Sequence, residues 1–544
     1  MLSVDRSQSW SRQWSQEFRL QSDFDGPFNF NAGVNFLDFH INENYYVFNN
    51  VFTALAEGAF NVSGPEGTGF PGDQPLPCAA GATDGCVYID PNPLNAINGQ
   101  GHNYFRSDNV ARTLSTAVFG EGYWQLNDDM KLTVGLRMTR DRKTTTPIPS
   151  QLLLSPPTAL FATPVGYVNS GYPATSNIQQ QWTEPTGRLV FSWTPHLPFT
   201  DSSMFYASYA RSYVAGGTNS PGIDVNQALM SYVPNPTTFK PEFVNAFELG
   251  SKNVMSGGQL SLNADVFYYD YRNYQVSQIV NRGSLNENFN AKTWGAELQG
   301  TWQPTRQFRA DLNIGLLGTR IGGHQYSIDP MNLTAGNPNW VTVQPFVEAA
   351  QSCIAPAADV AKIINYVNND TAGGGANYYL AGLCTQTSPL VVGGYLPGSP
   401  YSGYTGVVYD PSTAPNGGRG ISTDVGGNQL PNAPHYTYNI GAQYTFLFGT
   451  SDLVLRGDFY RQGPSWARIY NDPIDRLRGW SNANVTLTWE HPDNDLTVQF
   501  YVKNLFDKTP ITGTFINSSD SGLTTNVFTL DPRIIGLSIR KGFY

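Results

Sequence analysis

Long apolar runs are missing from this chain. Nowhere does it hold the roughly 18 consecutive apolar residues that a membrane-spanning helix needs. Its start, MLSVDRSQSW, has no basic stretch followed by an apolar one, so no secretory leader is legible there. Charge is scarce as well: Asp, Glu, Lys and Arg make up 14% of 544 residues, against about a quarter in ordinary soluble domains. The balance is acidic, net −10, and no Lys/Arg cluster is interleaved with aromatics, which argues against a nucleic-acid partner. Signatures of catalysis are absent too. There is no HExxH or paired-histidine spacing for a metal, and no GxSxG elbow. Gly67 to Gly72 spells GxGxxG, but it neither follows a strand nor opens a helix, and Pro71 interrupts it. Asp23 and Asp25 form a short turn without the downstream Glu of a calcium loop. No catalytic residue, metal or cofactor is therefore expected; the chain does not read as an enzyme.

Cysteine is nearly absent. The four present, Cys78, Cys86, Cys353 and Cys384, fall in two local pairs, each inside a Gly/Pro/Asn-rich stretch. Four cysteines allow three connectivities, and locality favours Cys78–Cys86 with Cys353–Cys384. Such bridges belong to an oxidising compartment.

What the chain does have is aromatics, 13% of residues with 30 Tyr and 31 Phe. Mean hydropathy is −0.31, so the polarity is carried by Asn, Gln, Ser, Thr, Gly and Tyr rather than by charge. Abundant aromatics and the lack of low-complexity tracts exclude a disordered chain.

These residues are ordered with a period of two. Phe28, Phe30, Ala32, Val34 and Phe36 alternate with Asn29, Asn31, Gly33 and Asn35. Phe308, Ala310, Leu312, Ile314 and Leu316 alternate with Arg309, Asp311, Asn313 and Gly315. The last stretch, Pro532 to Tyr544, sets Ile535, Leu537 and Ile539 against Gly536, Ser538 and Arg540. Alternation of this kind marks strands with one apolar face. About 15 such segments can be counted along the chain. Short turns and long loops alternate between them, so every long loop falls at the same end of an antiparallel up-and-down sheet. The longest loops run from about Ile41 to Val110, expected to be irregular, and from about Gly322 to Ala433.

Segments of about ten residues cross a bilayer at the tilt barrels adopt. The expected fold is all-β: a transmembrane antiparallel up-and-down β-barrel with long extracellular loops, lipid outside and a polar lumen within. An odd strand count leaves the two termini at opposite rims, whereas closed barrels of this kind have even numbers. The chain is thus expected to be the C-terminal part of a longer one.

Several motifs, in order, resemble those of TonB-dependent outer-membrane receptors. They are WSQEFRLQS with FNFNAGVNF, the segment Tyr206 to Gly217, FKPEFVNAFELGSKN (Phe239 to Asn253), NLFDKTP (Asn504 to Pro510) and the closing RIIGLSIR. Ser212 replaces a glycine of the family pattern. The resemblance covers nearly the whole chain, so residues 1–544 are read as one barrel domain without plug or TonB box. It implies a barrel of about 22 strands, of which these would be the last 15 or so, in the Gram-negative outer membrane. It also implies proton-motive-force-driven uptake of a bulky nutrient such as an iron–siderophore or oligosaccharide. The partners it implies are TonB, through the missing plug region, outer-membrane lipid and a small-molecule ligand. A passive porin-like channel or a surface adhesin is the alternative. Glu242, Glu248, Lys252 and Asn504 to Lys508 are expected to be architectural.

For ligand binding, the longest loop offers Tyr378, Tyr379, Tyr395, Tyr401, Tyr404 and Tyr409 among Gly and Ser. Tyr supplies flat apolar area with a polar tip, suited to recognition; self-packing of the loop stays open as the other reading. Mass mapping of non-reduced peptides is expected to recover a Cys78–Cys86 crosslink, and free thiols at these two positions would contradict the pairing.

Overall fold

A computed structural model describes residues 3–49, 103–147, 151–152, 164–165, 168–169, 177–220, 236–280, 283–343, 352–369, 380, 407, 409, 413–517 and 523–542. Fifteen strands form the continuous path of one sheet, and each neighbouring pair is consecutive in the chain. They are β1 (Ser3–Gln21), β2 (Phe28–Asn49), β3 (Asn103–Asn127), β4 (Met130–Pro147) and β5 (Ile178–Trp193). There follow β6 (Ser202–Val214), β7 (Glu242–Met255), β8 (Leu260–Val280), β9 (Gly283–Trp302) and β10 (Phe308–Ile321). The last five are β11 (Tyr436–Phe448), β12 (Ser451–Gln462), β13 (Trp480–His491), β14 (Leu496–Lys503) and β15 (Ile534–Lys541). All fourteen pairings along this path are antiparallel. The up-and-down order and the strand count agree with the sequence reading.

The faces agree as well. Leu136, Leu249, Ile535 and Leu537 are each 60% exposed or more, as side chains turned to lipid are when lipid is not counted. One outward row can be followed across nine strands by register, from Phe28 through Trp124, Leu132, Phe191, Ala207, Leu249, Val266 and Ala296 to Leu316. Nothing in that row is charged. Among the described residues no helix is long and apolar enough to span a membrane; the strands do the crossing.

Inward positions are mainly small or polar, with rings such as Phe119 and Phe267 packed against bare glycines, and some require glycine. A Cβ on Gly250 would lie 2.6 Å from the Tyr206 ring, and one on Gly536 would lie 2.3 Å from that of Tyr501. Each tyrosine lies flat over the bare backbone of the next strand, a cross-strand pair that packs an otherwise empty position. Lys541 shares the outward face of β15, where a cation at the bilayer midplane would be costly. Its ammonium instead donates to the Asn494 carbonyl in the neighbouring short turn, so it snorkels to the rim.

One expectation needs correction. The strands run further than periodicity showed: β2 extends to Asn49 and β3 begins at Asn103, inside the stretch expected to be irregular. On the approach to that stretch the outward positions become Asp38, His40 and Arg112, so the apolar signal stops although backbone pairing continues. The longest loop also holds a helix, α1 (Ala357–Asn369), whose Ile363 is buried against Val343 and Ala355.

The two faces should respond differently to charge. Arginine at outward Val266 is expected to destabilise the sheet in vesicles by about 2–4 kcal/mol, whereas arginine at inward Asn263 on the same strand should cost well under half of that. Urea titrations of both variants in lipid check it.

Candidate functional site

Inward side chains build a wall of ion pairs and hydrogen bonds. Arg188 on β5 binds Glu121 on β3 at 2.5 and 3.0 Å, across the glycine at position 135 of the strand between them. Tyr123 donates to the same carboxylate at 2.6 Å. Nearer the short turns, Asp311 accepts from Arg309 at 2.9 Å, from Arg456 at 3.0 Å and from Thr301 at 3.1 Å. Arg456 also binds Asp458 at 2.6 Å. Thr301, Arg309, Asp311 and Arg456, with Asn263, Gln299 and Gln443, line a recess of about 400 Å³. Its lining is entirely polar apart from a glycine, so it suits water or a polar protein surface and offers no apolar ligand pocket.

The motif residues lie in this wall and are occupied. Glu242 accepts from the Gln275 amide at 2.8 Å, Glu248 accepts from the Tyr206 hydroxyl, and Lys252 lies over the Tyr206 ring. Asn504 is 3% exposed and has φ +49°, a left-handed conformation asparagine tolerates. Its side chain donates to the Lys508 and Asp531 carbonyls at 2.8 and 2.9 Å and accepts from the Lys508 amide at 3.0 Å. It is a turn clamp between the end of β14 and the approach to β15.

At the long-loop end, segments 322–343, 413–435 and 463–479 fold onto the tops of β8, β9 and β10. Phe289, Ala291, Ile321, Val425, Leu430 and Ile469 are buried together there. Above this core sits a buried charge network. Arg468 donates to Asp329 at 2.5 Å and to Asp475 at 2.6 Å, with both carboxylates only 3% exposed. Burial works against the Arg468 charge, but its hydrogen bonds to the two carboxylates raise its pKa above the ordinary arginine value. The Tyr470 hydroxyl ties the layer to the sheet, its one proton placed between the Ile328 carbonyl at 2.7 Å and the Gln278 side-chain oxygen of β8 at 2.9 Å.

Beside it lies a cavity of about 180 Å³ whose lining includes Gln278, Glu287, Ser327, Cys353, Arg419 and Ser422. Ser327 and Gln278 donate to Glu287 at 2.6 and 2.8 Å. Burial lowers the Arg419 pKa, with Glu287 opposing that shift. The sequence reading missed this network: it joins two loops whose paired residues Asp329 and Arg468 are 139 positions apart, and no local spacing announces it.

Of the six tyrosines singled out, Tyr409 is described, and it is 5% exposed. Its hydroxyl donates to the Ile354 carbonyl at 2.7 Å, so it packs the loop core around α1. Tyr378, Tyr379, Tyr395, Tyr401 and Tyr404 lie outside the described residues. Cys353 is in a disulfide; Cys78, Cys86 and Cys384 lie outside the described residues. Among the described residues no group of His, Cys, Asp and Glu is arranged to hold a metal ion.

Residues 2–505 match the family model described as TonB dependent receptor-like, beta-barrel. Among solved structures, the ferric yersiniabactin uptake receptor FyuA from Yersinia pestis is similar at 14% identity and TM-score 0.57, covering 100% of this chain and 56% of that one. The siderophore receptor PiuA from Acinetobacter baumannii is similar at 15% identity and TM-score 0.52, with 98% and 56% covered. The copper transporter OprC is similar at 12% identity and TM-score 0.52, with 99% and 57% covered. At these identities the likeness is one of fold. The chain spans a little over half the length of each.

Removing Arg468 strands two buried carboxylates. Arg468→Ala is expected to destabilise the loop layer by about 3–5 kcal/mol. Hydrogen exchange should rise in 323–343 and 463–479 while the amides of β3 to β5 stay protected.

Proposed function

The chain belongs to the TonB-dependent receptor family, transport receptors of the Gram-negative outer membrane, and on that premise we propose that it serves energy-coupled uptake of a bulky nutrient. The observation that carries this reading is the division of the sheet into an apolar outward face, a polar inward wall and a layer of folded loops at one rim. A sheet of this width encloses more room than its own side chains fill, and the polar wall suits a second protein surface, the plug of the family. TonB would act on that plug. The loop layer would meet the ligand first, with Tyr378, Tyr379, Tyr395, Tyr401 and Tyr404 as candidate contacts from the longest loop and Cys353–Cys384 as its candidate bridge.

Iron chelates are the favoured ligand class. The relatives named for ferric yersiniabactin and siderophores bear on that choice by fold alone, and oligosaccharides remain the second class. Nothing in the family or the described residues favours a catalytic role.

Uptake by cells carrying the full-length protein is expected to stop when a protonophore collapses the proton-motive force and when TonB is deleted. Radiolabelled ferric chelates and oligosaccharides supplied singly would identify the class. Transport that survives both treatments would make the barrel a passive channel instead.

A further inference from the structure

Outward charge on β1 to β5 is confined to the long-loop side. The apolar row Phe18, Val34, Val118, Met138 and Pro185 is the last of its kind in that direction. The next row brings Arg140, paired across strands with Thr116 and Thr183. Beyond it come Arg142, beside Leu114 and Gln181, and then Arg12 and Arg112 on either side of His40. Toward the short turns the same strands carry Leu20, Ala32, Leu136 and, further on, Phe28, Trp124, Leu132 and Phe191, with no charge among them.

All four arginines are exposed. Rows are about 6.6 Å apart along a strand and strands about 4.8 Å apart, so the four guanidinium groups occupy one patch. Neutralisation is incomplete. Asp38 takes Arg112 through two bonds of 2.9 Å. Among the described residues, Arg140 and Arg142 donate to the neutral amides of Gln181 at 3.1 Å and Gln179 at 2.6 Å. Beside them, Trp14, Phe18, Phe36, Val118 and Met138 wall an outward groove of about 540 Å³ whose lining includes Arg140.

We propose that this patch and groove form a binding site for a phosphorylated lipid of the outer leaflet. The acyl chain lies in the groove against apolar side chains, continuous with the lipid-facing belt. The phosphate group sits at the boundary, where Arg140 and Arg142 take it in the forked geometry that guanidinium offers phosphate oxygens. Arg12 and Arg112 add positive potential for a second phosphate or a neighbouring headgroup. Basic residues gathered at the edge of a membrane span recognise anionic headgroups in this way. The inference rests on outward geometry and on long loops facing the cell exterior. It stands whatever nutrient the receptor takes.

The test uses the full chain in non-ionic detergent, titrated with bisphosphorylated lipid A, with its dephosphorylated form and with inorganic phosphate, bound lipid being counted by native mass spectrometry. The bisphosphorylated lipid is expected to bind at least ten-fold more tightly than the dephosphorylated one. R140Q/R142Q, and each single change separately, should weaken it, the double by ten-fold or more. Arg137→Gln, on the opposite face of the same strand, should leave it unchanged, and heat-modifiable gel mobility reports that each variant is folded. Equal affinity for the two lipids, or unchanged binding by a folded R140Q/R142Q, would overturn the proposal. Displacement of the lipid by an equal concentration of inorganic phosphate would overturn it as well, by assigning the site to the free ion.

Discussion

Lipid offers no hydrogen-bond partner to a peptide group, and this single constraint arranges everything else in the chain. Within the bilayer each strand must satisfy its backbone through its neighbours, which is why fifteen strands run in one continuous antiparallel path. Once the backbone is committed to that ladder, side chains have only two directions left. Those pointing out must match hydrocarbon, and those pointing in are free to be polar. The period of two is the direct consequence, and so is the low charge content, since half the strand positions within the bilayer have no use for charge.

The same constraint explains where chemistry is placed. Inward positions can carry paired charges such as Arg188 with Glu121 and Arg456 with Asp311, because these face a water-accessible space. Loops at the long end are released from the bilayer and fold as a small soluble layer, with a core around Ile321 and Val425 and a buried Arg468–Asp329–Asp475 network. That layer is fixed to β8 through Tyr470 and Gln278, so the surface a ligand meets first is tied to the wall it must pass.

How much of this was legible depended on whether the signal was local. Strand existence, order and facing came through because lipid imposes a period that any short window reveals, as in Phe28 to Phe36 or Phe308 to Leu316. Strand ends above the membrane did not. Once Arg112, Asp38 and Arg140 replace apolar residues, pairing leaves no trace in composition. Asn504 was readable as a turn from its motif, whereas its clamp across to Asp531 is a tertiary fact. The loop network was illegible because Asp329 and Arg468 are separated by 139 residues and meet only when two loops fold together. Tyr409 shows the limit of reading function from composition: a residue type suited to recognition serves here to fill a core.

The central claim is that one face of this sheet meets lipid and the other meets water, with the boundary fixed by register. Nitroxide labels placed singly at each position of β4, from Met130 to Pro147, in protein reconstituted into vesicles, test it most directly. Collision rates with oxygen and with a water-soluble nickel complex should alternate with a period of two through Met138, oxygen high at even positions and nickel high at odd ones. At Arg140 and beyond, the outward positions should turn nickel-accessible. Accessibility without alternation, or a period near 3.6, would contradict the account.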